Sequence, residues 1–84
     1  MTLRFIAIDP ETNGNGSVTF WLDEDAREIV AQAYLGDEAL KRKVTETPAP
    51  DHEPGIPEGE GIFRIPFRLV PEIRKACDAA ERLG

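Results

Sequence analysis

The chain has 84 residues, with 10 Lys and Arg against 16 Asp and Glu, giving a net charge of −6. That length supports one modest hydrophobic core and leaves no room for two, and an acidic balance argues against direct nucleic-acid binding, which needs a basic face. No apolar run approaches the roughly 20 residues that span a bilayer. The N-terminal stretch lacks the pattern of a secretory signal, so a cytoplasmic location is expected.

Residues 3–8, Leu-Arg-Phe-Ile-Ala-Ile, predict a first strand with Leu3, Phe5 and Ala7 on one face. The segment from Asp9 to Gly16 is dense in turn residues and ends that strand. Ser17–Leu22 predicts a second strand, with Val18, Phe20 and Leu22 opposite Thr19 and Trp21. Asp23-Glu24-Asp25-Ala26-Arg27 is a charged tight connection to a third strand over Glu28–Leu35. Short connections of this kind favour an antiparallel meander.

Gly36 breaks the strand, and Asp37 is suited to cap a short helix over Glu38–Val44, whose acids lead and whose basic triplet Lys41-Arg42-Lys43 follows. Residues 45–61 contain four of the seven prolines, three of the seven glycines and no aromatic residue. Such a segment buries too little apolar area to offset its ordering entropy, so an extended, mobile loop is expected there. Ile62–Ile65 predicts a short fourth strand. A C-terminal helix starts at Pro66 or Pro71, both of which a first turn tolerates. Leu69, Val70, Ile73, Ala76, Cys77, Ala80 and Leu83 fall on one arc of its wheel, and Arg68, Lys75 and Arg82 on the other side. The expected architecture is therefore α+β: a single domain over 1–84, with a three- to four-stranded antiparallel sheet and one amphipathic helix packed on one face.

The charge is regional. Residues 1–60 hold 13 acids and 5 bases, net −8, while residues 61–84 hold 3 acids and 5 bases, net +2. The acidic strands and loops thus form a surface that a basic partner can read.

Motifs for catalysis or cofactor binding are weak. Asp9, Glu11 and Asn13 alternate and Gly14 follows, as in a calcium loop, but the twelfth position is Phe20 where a bidentate Glu is needed. Asp51-His52-Glu53 offers three donors in a row, which rarely converge on one ion. Gly14 and Gly16 lack the Lys and the helix of a phosphate loop. Cys77, the single cysteine, is expected on the apolar helix face as a small buried residue. No catalytic residue, metal ligand or cofactor is assigned. Trp21 and Tyr34, on consecutive strands and facing away from Phe20, are candidate interface anchors, with Asp23, Glu24 and Asp25 as an acidic rim.

Arg4-Phe-Ile-Ala-Ile-Asp-Pro-Glu-Thr, Thr19-Phe-Trp-Leu-Asp-Glu and Val30-Ala-Gln-Ala-Tyr, with Ile56-Pro-Glu-Gly-Glu, Arg64-Ile-Pro-Phe-Arg-Leu-Val-Pro and Ala76-Cys-Asp-Ala-Ala-Glu-Arg, resemble small acidic proteins of streptomycetes and related actinobacteria. Members of that group are often encoded beside helix-turn-helix regulators of the WhiJ type. The resemblance implies a non-enzymatic accessory partner of a transcriptional regulator. A small-ligand or metal-binding module using loops 9–16 and 45–61 is the second reading, and a homodimer through Trp21 and Tyr34 the third.

Overall fold

A computed structural model describes residues 2–12, 14 and 17–83. Three strands, β1 (Leu3–Ile8), β2 (Thr19–Asp23) and β3 (Glu28–Gln32), form an antiparallel sheet in the order β1-β2-β3. The meander arises because the four residues between β2 and β3 and the ten between β1 and β2 both fall short of the dozen or so that a crossover needs. The sheet and its C-terminal helix confirm the expected α+β class.

Packing separates the chain into two compact units, one built from the segments up to Ala33 and from Ile65 onward, the other from Tyr34–Arg64. In the first, the sheet is covered by Phe67–Leu69, a single 3₁₀ turn, and by α2 (Val70–Arg82). Pro71 sits in the first turn of α2, where its missing N–H costs nothing. The core gathers Val18, Phe20, Leu69 and Ala76, with Ile6, Ala33, Ile65 and Ile73 packed around it.

The helix wheel is largely met, with two corrections on its apolar arc: Cys77 and Leu83 are exposed. Burial in α2 is centred on Ala76, and Cys77 follows it by about 100° around the helix, which carries it off the covered side. The flank opposite to Cys77 is the covered one, so Glu72 is buried there in its place. The helix is rotated about its axis relative to the arc that hydrophobicity alone marks.

The first strand also departs from simple alternation. Phe5 pairs with Trp21 and Ala7 with Phe20, so Ile6 is an extra residue in a β-bulge. The bulge switches the faces: Leu3 and Phe5 lie on the exposed side, while Ala7 turns to the core. A regular strand would have kept all three together.

The second unit contains β4 (Tyr34–Leu35), α1 (Glu38–Glu46) and β5 (Phe63–Arg64), with β4 and β5 paired antiparallel as a separate two-stranded ribbon. The third predicted strand is thus cut at Ala33, and the fourth, Ile62–Ile65, does not join the main sheet. Ala33 is half-buried against the core, a position that interrupts the extended ladder. Asp37 caps α1 as expected, its Oδ1 accepting from the Leu40 N–H at 2.8 Å. Gly36 is required where it stands, since a Cβ there would lie 2.9 Å from Leu40 Cδ2 and 3.1 Å from the Ile62 carbonyl oxygen.

The Pro/Gly-rich stretch is organised by turns, where an extended course was expected. His52 N–H donates to the Ala49 carbonyl and Glu60 N–H to the Pro57 carbonyl. Each turn has a left-handed residue at its third position, Asp51 (φ 64°) and Gly59 (φ 91°), the signature of type II geometry. Pro50 presets the second position of the first turn.

Leu69 has no solvent exposure and lies at the centre of the first unit's core. Leu69→Ala is expected to lower stability by about 2–5 kcal/mol, read as a reduced urea midpoint at unchanged slope.

Candidate functional site

Each strand of the main sheet sends alternate side chains to opposite faces, and cross-strand partners share a face. The face under α2 carries Ala7, Phe20 and Leu22, all buried. Ile29 pairs with Leu22 on that side and lines, with Ala80 and Leu83, a small pocket of about 90 Å³ whose rim is Asp23, Arg27 and Glu28.

The opposite face is a three-by-three array fixed by the register. Its rows are Leu3–Asp23–Glu28, Phe5–Trp21–Val30 and Ile8–Thr19–Gln32. Leu3, Phe5 and Ile8 are 44%, 55% and 45% exposed, and Trp21 and Val30 are half-buried between them. Three exposed apolar side chains thus stand beside half-buried Trp21 and Val30, with Thr19 of the third row buried. Exposed apolar area of this kind marks an interaction surface in soluble proteins.

The charge on this face is confined to one end. Asp23 and Glu28 close the first row, and the turn between them carries Glu24 and Asp25. Asp23 Oδ1 accepts from the Ala26 N–H at 3.0 Å, which fixes the turn, and Arg27 completes it in the left-handed region (φ 59°). Arg4 Nε pairs with Glu24 at 2.9 Å. With Arg4 and Arg27 set against four acids, this end keeps a net charge of −2. The far row, Ile8–Thr19–Gln32, is uncharged.

Of the residues singled out from sequence, Trp21 and Asp23 share this face, and Glu24 and Asp25 stand at its edge. Tyr34 does not belong to this sheet: it lies in β4, paired with Arg64. Sequence alternation missed Leu3, Phe5, Ile8 and Val30 as surface residues. A bulge leaves no signature in an apolar run, so alternation groups Leu3 and Phe5 with Ala7, from which the structure separates them.

A second constellation was also missed. Asp9 is fully buried at the end of β1, and its carboxylate takes a bidentate pair from Arg68 in the 3₁₀ turn, with Nη2 donating to Oδ2 at 2.8 Å and Nη1 to Oδ1. The Glu11 N–H donates to the same carboxylate at 2.9 Å, and Glu11 lies 3.8 Å from Arg68. Arg68 therefore leaves the solvent stripe assigned to it and ties the loop after β1 to the start of α2. Around this clamp, Thr12 and Ser17 share a hydroxyl–hydroxyl bond, while Thr19 Oγ1 and Gln32 Nε2 both donate to the Ser17 carbonyl, at 2.8 and 2.9 Å. The Arg68 hydrogen bonds, joined by the Glu11 N–H, hold the Asp9 carboxyl below its ordinary value of 3.8, against the opposing effect of burial.

The clamp occupies the Asp9 carboxylate that a cation at loop 9–16 would need as its first ligand. Asn13 and Gly16 of that reading lie outside the described residues. Among the described residues no group of three His, Cys, Asp or Glu side chains is placed to hold a metal ion, and no helix is long and apolar enough to cross a membrane. The chain matches no family model, no curated protein and no solved structure.

A carboxyl whose folded pKa is depressed stabilises the fold above its unfolded pKa and loses that contribution as pH falls through the folded value. Asp9→Asn is therefore expected to unfold at lower urea than wild type at pH 7. The gap should narrow as pH drops below about 4, and urea titrations at several pH values read both effects.

Proposed function

We propose that this protein is a non-catalytic protein-interaction module whose docking surface is the uncovered face of its three-stranded sheet. The observation that carries the reading is the set Leu3, Phe5, Ile8, Trp21 and Val30, gathered on one side of the sheet with α2 on the other. Fully buried apolar area is worth about 25 cal/mol per Å², so a folded chain that leaves such a set exposed forgoes stability that a partner would recover. Aromatic residues at the centre and charge at the margin match the anatomy of protein interfaces.

The partner proposed is a helix-turn-helix transcriptional regulator of the kind that the sequence resemblance implies. Such proteins carry basic surfaces for phosphate contact, and the acidic end of this face, Asp23 to Glu28, complements them. The role is accessory: an acidic chain seated on a DNA-binding protein alters that protein's charge and access without contacting DNA itself.

Phe5→Ser tests this directly. Because Phe5 is more than half exposed, the substitution should change folding stability by only about 0.5 kcal/mol. Association with a helix-turn-helix regulator of the WhiJ type, measured by calorimetry, is expected for the wild-type chain, weakened by added salt, and lost in the variant. No association at low salt would contradict the proposal.

A further inference from the structure

The array on the uncovered face also defines the shape and polarity of what sits on it. This step rests on the interaction reading above and names the occupant. Strands lie about 4.8 Å apart, so three of them present a strip about 10 Å wide between the outer two, and the six residues of β1 run about 20 Å. An α-helix of three to four turns has that footprint, about 10–12 Å across and about 20 Å long. The 13-residue helix α2 already fills the equivalent area on the other side. Extended peptides are added at sheet edges through main-chain bonds, whereas a sheet face packs helices, completing an α/β/α layering.

Charge then sets the direction. One end of the strip is closed by Asp23 and Glu28 with Asp25 in the adjoining turn, and the other end, Ile8–Thr19–Gln32, is uncharged. An acidic or uniformly charged helix would set like charges or unpaired charges against one end of this strip. We propose that the uncovered face docks one amphipathic helix of a partner protein, its apolar side seated on Phe5, Trp21 and Val30 and its basic residues confined to the turn that meets Asp23 and Glu28.

Trp21 is the only tryptophan of the chain and stands in the middle row, so its emission reports docking on this face and no other. The probes are three synthetic tryptophan-free helical peptides of about 14 residues with the same leucine stripe. Their last turn carries lysines, glutamines or glutamates. The lysine peptide is expected to shift Trp21 emission and the glutamate peptide to bind least. Phe5→Ser, which leaves the net charge at −6, should abolish the response, separating docking from general attraction to an acidic chain. The double variant Asp23→Asn/Glu28→Gln should weaken the lysine peptide about three- to tenfold, while Glu53→Gln/Glu58→Gln, with the same change in net charge, should not.

Equal binding of all three peptides, lost in Phe5→Ser, would overturn the polarity and leave the interaction reading standing. No Trp21 response to any peptide, with Phe5→Ser still blocking the regulator, would overturn the helix occupant alone. A response that survives Phe5→Ser would place the docking elsewhere and overturn the inference.

Discussion

A sheet has two faces, and the main sheet of this protein has one helix packed across it. That imbalance governs the rest of the first unit. The side under α2 is filled by Ala7, Phe20 and Leu22 with Leu69 and Ala76 above them, all buried. The same strands, alternating on either side of the Ile6 bulge, send their other side chains the opposite way. Those side chains are Leu3, Phe5, Ile8, Trp21 and Val30, with Asp23 and Glu28 at one end and Thr19 and Gln32 at the other. A sheet that only needed a solvated outer face would carry polar residues in its middle row as well as at its ends. The apolar centre of this second face is the physical fact from which the interaction reading follows.

The Asp9–Arg68 pair explains how so small a core is held in register. It connects residues 59 positions apart in sequence, joining the loop that leaves β1 to the turn that opens α2. Because Asp9 is buried and hydrogen-bonded on both oxygens, the pair fixes orientation as well as distance. The neighbouring hydroxyls of Thr12, Ser17 and Thr19, with the Gln32 amide, satisfy the polar groups at that end of the sheet. The clamp is architectural: it sets the angle at which α2 covers one face.

Much of the fold was legible in sequence. The meander followed from short charged turns, the cap at Asp37 from its position before an acidic first turn, and α2 from the spacing of Leu69, Ile73, Ala76 and Ala80. The errors share a cause, which is that period-based reading assumes regular elements. The bulge at Ile6 inverted the faces of Leu3 and Phe5 relative to Ala7. The break at Ala33 moved Tyr34 into a separate ribbon. A modest rotation of α2 exposed Cys77 and buried Glu72. Arg68 looked like one of several solvated cations, since nothing local marks a partner 59 residues away. The candidate surface is therefore half visible in the sequence: Trp21 and the acidic turn stand out, while the bulge that brings Leu3 and Phe5 beside Trp21 does not.

The most direct test of this account is nuclear magnetic resonance of the isotope-labelled chain titrated with a helix-turn-helix regulator of the proposed kind. The account predicts that signals of Leu3, Phe5, Ile8, Val30 and the Trp21 indole shift together, with those of Asp23 and Glu28 at one end. Shifts confined to the outer side of α2, or to Tyr34–Arg64 alone, would contradict it.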